Sequence, residues 1–245
     1  MKKIKVGAVS YLNTKPLLYG IKRSGLIDRI ELIEQYPAAI ANMLLEDKID
    51  VGLVPVAIIP KLTNAHIITD VCISAVGEVA SVCLFSEVPI EQVEKVLLDY
   101  QSRTSVALFK LLLKEYWQKE VAFEDAKPNY QQLIKGTTAG VVIGDRALAQ
   151  RASSTYIYDL ATAWQLHTGL PFVFAAWVAN KQLPSDFIAE FNEANLSGLA
   201  HIEEVIEEQG DYSSYNLNTY YNQNINYHLT EESRNGLELF LKKII

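Results

Sequence analysis

Cysteine is scarce in this sequence: Cys72 and Cys83 are the only two, with no Cys-x-x-Cys spacing and no histidines clustered near them. A disulfide framework, a zinc site and a thiol redox motif therefore lack support, and both cysteines are expected as buried thiols in core strands. The four histidines, His66, His167, His201 and His228, are scattered, with no metal-ligand spacing. No apolar run reaches the roughly 18 residues of a membrane-spanning helix. Neither Gly-x-Gly-x-x-Gly nor a Walker loop occurs, so no nucleotide cofactor is indicated. Gly-x-Ser-x-Gly, the mark of a hydrolase nucleophile, is also missing. Basic charge is in deficit, with 22 Lys and Arg against 29 Asp and Glu and a net charge of −7. Such a chain suits neither nucleic acid nor an acidic membrane surface, since both are polyanions. A small anion is not excluded, because one cleft can be locally positive. The basic start has no long apolar region and no small-residue cleavage site, so a cytoplasmic location is expected.

What is present is an ordinary globular composition, 49% hydrophobic and 21% charged over 245 residues. Surface scaling predicts roughly 11,000 Å² exposed and about 70% of the extended-chain surface buried. Strand-like and helix-like patterns alternate from the start. Strands are expected at residues 3–9, 30–35, 51–54 and 66–71, with helices at 13–23, 37–47 and 56–62 between them. This spacing implies a parallel sheet covered by helices. Further strands are expected at 77–85, 93–99, 121–123, 140–144, 156–159 and 171–179. The strongest helix of the first half spans 103–117, where Val106, Phe109, Leu113 and Tyr116 recur at helical spacing. A long helix is expected from Pro184 to Gly210, with Gly198 marking a kink or a close approach. A Tyr- and Asn-rich stretch at 211–227 reads as a short helix and connector, and 231–244 as the last helix. The chain is α/β, and two groups of βα units divide it into two lobes. Residues 1–85 with 178–245 form one lobe and 86–177 the other, with a ligand cleft expected between them.

Three junctions have groups suited to a small anion. Residues 10–16 follow the first strand, and the carboxyl end of a parallel strand is where open sheets hold ligands. Ser10, Asn13 and Thr14 offer short polar groups there, although Asn and Thr are also common turn and cap residues. Residues 99–105 join a strand end to a helix start bearing Ser102, Arg103, Thr104 and Ser105. No acidic residue occupies that helix's first turn, which leaves it able to receive a carboxylate or phosphate; Arg103 can equally pair with Asp99. Ser81 alternates with apolar neighbours, opposite Val82, and reads either as a small packed residue or as a ligand contact. At 144–146, Asp145 reads as a helix cap. The residues alone do not decide between binding and catalysis.

Six segments in order, VGAVSYLNTKPL (6–17), DVGLVPV (50–56), SVCLFS (81–86), LDYQSRTSVAL (98–108), IGDRAL (143–148) and TGLPFVFAAW (168–177), resemble the chorismate dehydratase family of the futalosine route to menaquinone. A relative of the same route, which makes 1,4-dihydroxy-6-naphthoate, opens with a different Asp- and Pro-rich motif, so the SYLNTKP segment favours the dehydratase. The resemblance implies a type II periplasmic-binding-protein-like fold, a cytoplasmic hydro-lyase without cofactor or metal, and chorismate, a small dicarboxylate, as substrate. It ties Asn13 to catalysis and makes Ser81, Ser102, Thr104 and Ser105 contacts for carboxylates, with Ser10 and Arg103 beside them. Asp145 lies in a matching motif without an assigned role. The alternatives are a naphthoate-synthase-like enzyme and a non-enzymatic module that binds a small anion.

Overall fold

Two mixed sheets form the framework. The computed structural model describes residues 3–245; residues 1 and 2, at the start of the expected first lobe, lie outside it. The first sheet runs in the order β11-β4-β10-β3-β1-β2, from β1 (Ile4–Val9), β2 (Ile30–Gln35), β3 (Val51–Pro55), β4 (His66–Ala75), β10 (Phe172–Ala179) and β11 (Asn226–His228). The second runs β7-β6-β8-β5-β9, from β5 (Val82–Ser86), β6 (Lys95–Leu98), β7 (Ala122–Asp125), β8 (Thr138–Ile143) and β9 (Tyr156–Asp159). Strand β1 pairs in parallel with β2 and β3, while β10 is antiparallel to both β3 and β4. In the second sheet β6 is parallel to β7 and β8, and β5 is antiparallel to β8 and β9.

Sheet membership shifts the expected lobe boundaries. The segment 82–86 pairs in the second sheet, and 172–179 lies in the middle of the first. The crossings therefore fall near 76–81 and 160–171 instead of after residues 85 and 177. The reason is that, apart from Ser86, both strands are apolar runs, which fit the interior of either sheet and show no preference by composition. Strand β5 supplies both layers around its sheet: Val82 and Leu84 join the large core shared with the first lobe, while Cys83 and Phe85 face a separate cluster with Tyr130 and Val142.

The helices are α1 (Lys15–Arg23), α2 (Pro37–Leu45), α3 (Thr104–Glu115), α4 (Asp145–Gln150), α5 (Leu160–Thr168), α6 (Ser185–Leu199), α7 (Ile202–Gln209), the single turn α8 (Leu217–Thr219) and α9 (Glu231–Ile244). Pro16 and Pro37 sit in the first turns of α1 and α2, where a missing N–H is harmless. The expected helix over 184–210 is two helices, broken at Ala200 and His201. Gly198 is a point of close approach: a Cβ there would lie 1.9 Å from the Pro16 carbonyl oxygen of α1. Helix α5, absent from the sequence expectation, starts at Asp159, whose side chain accepts the Ala161 and Thr162 amides. Among the described residues no helix is long and apolar enough to cross a membrane, and no group of three or more His, Cys, Asp or Glu is arranged to hold a metal.

Candidate active site

The carboxyl ends of β1, β3, β6 and β8 meet where the two sheets face each other, which is where open α/β sheets hold ligands. The space between them encloses about 510 Å³, a figure that includes the open solvent at its mouth, and a cleft between two lobes is a favoured place for a small ligand. Two register pairs form its walls: Pro55 opposite Ala175 in the first sheet, and Val82 opposite Ile143 in the second. Val9, Leu53, Ile73, Val79 and Phe174 complete an apolar lining, and among the described residues no charged side chain borders the space. The polar groups reaching it are Tyr11, Asn13, Thr14, Ser81, Ser102, Thr104 and Ser105.

Five of the expected site residues thus converge from two lobes: Asn13, Ser81, Ser102, Thr104 and Ser105. Ser10 and Arg103 do not. Ser10 is exposed and gives its backbone N–H to Gln35, because alternation along β1 turns Val9 inward and Ser10 out. Arg103 leaves the start of α3 on a different side from Ser102 and Ser105, which are one turn apart, and its guanidinium donates to Asn42. Nor does Arg103 pair with Asp99. That carboxylate, its side chain 0% exposed, is bound by Arg146 at 2.9 Å, by Tyr130 and by the Ile143 amide.

Two of the cleft hydroxyls, those of Ser102 and Thr104, share a polarity. Ser102 Oγ accepts the Ser105 amide at 3.0 Å and Thr104 Oγ1 accepts the Ala57 amide at 3.1 Å. One lone pair of each is thereby engaged by the protein, while each O–H hydrogen has no protein acceptor among the described residues. They stand at the start of α3, whose first turn holds no acid, so the helix dipole adds positive potential at the same point. Asn13 follows the same logic: its Oδ1 accepts from Thr14 Oγ1 at 3.2 Å, and its Nδ2 hydrogens have no acceptor among the described residues. The site is a set of neutral donors inside an apolar shell, suited to a small ring carrying carboxylates.

Ser81 is held in an unusual way. It lies just before β5 and not within a strand, as the alternation had implied. Its amide donates to Val79 at 2.7 Å across Ala80, which sits at φ +61°. This tight three-residue turn is rare and strained, and persists only where surroundings over-determine it. They do so here: Asp159 accepts the Val79 and Ala80 amides at 3.1 and 2.8 Å, and Arg151 donates to the Ala80 carbonyl at 3.2 Å.

Hydrogen bonds clasp the lobes across the cleft. Asp145 Oδ1 accepts the Leu12 amide at 3.0 Å, Gln101 accepts the Ala38 amide at 3.1 Å through its carbonyl, and Tyr11 donates to the Gln101 side chain. The Tyr11 ring lies against Gly144, at φ +63°, where a Cβ would come within 2.8 Å of it. Burial raises the Tyr11 phenol and the Asp145 carboxyl above their ordinary values; Arg146 opposes the first shift, and the Leu12 amide and Lys15 the second.

The Tyr- and Asn-rich stretch, given no role by sequence, reaches the site from behind. Tyr220 donates to Ser81 Oγ at 2.8 Å, Tyr227 to the Asn13 carbonyl at 3.0 Å, and Asn224 to the Glu78 carbonyl at 3.1 Å. Tyr11, inside the SYLNTKP motif, also lines the cavity, although sequence reasoning passed over it.

The sequence pattern of the menaquinone biosynthesis family matches residues 4–244. The chain belongs to that family. A chorismate dehydratase from Thermus thermophilus is 28% identical, across 100% of this chain and 96% of its own length. Among solved structures, a protein from Archaeoglobus fulgidus superposes with a TM-score of 0.75 at 15% identity, over 99% of this chain and 96% of that one. A Candida albicans protein described as having the generic periplasmic binding protein fold superposes with a TM-score of 0.62 at 15% identity, over 98% and 90%. This family member therefore has the two-lobed type II periplasmic-binding-protein-like fold, and its cavity occupies the cleft between the lobes.

Proposed function

We propose that the protein is a hydro-lyase that converts chorismate to 3-[(1-carboxyvinyl)oxy]benzoate and water, a step toward menaquinone. The observation that carries this reading is the lining of the cleft: neutral donors in an apolar cavity, within a chain that matches a chorismate dehydratase over its full length. Chorismate carries two carboxylates and a ring diene, so it needs such donors around a flat apolar slot. A cluster of lysines or a metal is not required to hold it.

The chemistry asks little of the protein. The C3–H and C4–O bonds break, a C3–C4 π bond forms, and the hydroxyl leaves with a proton as water. Aromatisation makes the reaction strongly downhill, so the barrier is largely one of orientation. Charge developing at C3 is conjugated through the ring to the C1 carboxylate. Donors at Ser81 and at the start of α3 would stabilise it there. Asn13 Nδ2 would hold the departing hydroxyl. With no carboxylate or histidine among the lining residues, the proton acceptor in this reading is the substrate's own enolpyruvyl carboxylate. An analogue with an amide in its place should then bind without turning over.

The deciding experiment is incubation of the purified protein with chorismate, following loss of the cyclohexadiene absorbance and identifying the product. Stoichiometric formation of the enolpyruvyl benzoate is the expected result. Binding of chorismate without its consumption would overturn the enzymatic reading in favour of a binding module.

A further inference from the structure

Tyr220 is fully buried, 139 positions away from the serine it touches. It opens the π-turn Tyr220–Asn224, a wide helical distortion that is rare in general and frequent at functional sites. The turn is tied at both ends: at its start the Tyr220 amide donates to the Asn216 carbonyl at 2.9 Å. Asn224 donates to the Glu78 carbonyl and accepts from Tyr215, and β11 directly after it pairs with β4, Asn226 opposite Ser74. The Tyr220 hydroxyl thus has little freedom, and among the described residues its one hydrogen-bond partner is Ser81 Oγ at 2.8 Å.

The remaining polar groups of Ser81 are accounted for. Its amide donates to Val79, and its carbonyl accepts the Gly144 amide at 2.8 Å. Its hydroxyl oxygen accepts from Tyr220, and its hydroxyl hydrogen has no protein acceptor among the described residues. A serine hydroxyl is ordinarily a rotor able to donate or accept. Here a phenol, the stronger donor of the two, occupies a lone pair and stops the rotor with its hydrogen turned away from Tyr220. Ser81 borders the cleft, so the free hydrogen has the cavity as its outlet. Burial also raises the Tyr220 phenol well above its ordinary value, which keeps it a donor throughout the working pH range.

We propose that Tyr220 is a positioning residue that commits Ser81 to act as a hydrogen-bond donor toward a carboxylate of the bound substrate. The proposal rests on the reading of Ser81 as a substrate contact. It also gives the Tyr- and Asn-rich stretch a task beyond packing, one that Tyr227 shares through its bond to the Asn13 carbonyl.

A double-mutant cycle on the full chain tests it, using Tyr220→Phe, Ser81→Ala and the double variant, with kcat and KM for chorismate measured alongside the thermal midpoint. Phenylalanine keeps the ring contacts. The double variant removes both partners of the hydrogen bond, leaving neither group buried and unpaired. In the wild-type background Y220F should lower kcat/KM by about tenfold, mostly through KM; in the S81A background it should change kcat/KM by less than twofold. An equal loss in both backgrounds would overturn the proposal, since Tyr220 would then act independently of the serine. So would Y220F within twofold of wild type while S81A is impaired. If S81A itself retains full activity, the reading of Ser81 as a substrate contact fails first, and the role of Tyr220 with it.

Discussion

At the scale of single residues, Asn13 shows how little chemistry the site needs. Its Oδ1 is engaged by Thr14, its backbone carbonyl by Tyr227, and its Nδ2 is left to the cleft. Asn13→Ala should leave the thermal midpoint nearly unchanged. Because loss of one pre-aimed donor typically costs about 100-fold or more in turnover, kcat should fall by that order while KM moves by less than about fivefold. Steady-state kinetics check this, and a kcat within twofold of wild type would remove Asn13 from the reaction. Residues such as Asn13, Ser102, Thr104 and Ser105 were legible in sequence because they occupy strand ends and a helix start, positions with known direction. Arg103 and Ser10 share those motifs, yet the helical turn and the strand pleat send them elsewhere. Tyr220 and Tyr227 left no local signature, since their partners lie 139 and 214 positions away.

At the scale of elements, the contact between α1 and α6 depends on two glycines. A Cβ on Gly198 would meet the Pro16 carbonyl at 1.9 Å, and one on Gly20 would meet the Ala194 carbonyl at 1.9 Å. Both obstacles are backbone, so neither can move without parting the helices. Gly198→Ala should therefore destabilise by about 1–3 kcal/mol despite its better helix propensity. Gly25→Ala, where nothing lies within 4 Å, should be neutral or slightly stabilising. Urea midpoints of the two variants make the comparison, and equal stability would show that the helices separate at little cost. Periodicity located α3 and the start of α6 well because each carries an apolar stripe. It ran α6 into α7, because the break at Ala200 and His201 contains neither proline nor glycine. It extended a strand through Ala80, where the positive φ is imposed by Asp159 and Arg151 from distant parts of the chain and not by any local residue preference.

At the scale of the whole molecule, the lobes are joined through Asp145, whose carboxyl is raised by burial. The native state then holds that proton more tightly than the unfolded chain does. Stability falls as pH rises from the ordinary carboxylate range through the raised native value, and above both the penalty is complete. Asp145→Asn keeps an acceptor for the Leu12 amide and carries no charge. Its urea midpoint should exceed that of wild type at about pH 7.5, and the gain should shrink below about pH 4, where both proteins are neutral at this position. A variant less stable than wild type at neutral pH would show that the ionised form is the favoured one. The two-lobed plan itself was readable from the alternation of strands and helices. The crossings were not, because apolar runs such as 82–86 and 172–179 fit either sheet equally well.

The order of strands has a consequence for how the chain is assembled on the ribosome. All five strands of the second sheet come from the single stretch 82–159, whereas in the first sheet β3 and β4 are separated by β10, which is translated more than a hundred residues after β3. The amino-terminal strands must wait with an empty lane between them until Phe172–Ala179 emerges, while the lobe inserted between them already has every strand it needs. The part of the protein made first is therefore completed last, and the catalytic cleft, whose wall includes Phe174 and Ala175, cannot exist before that late strand arrives.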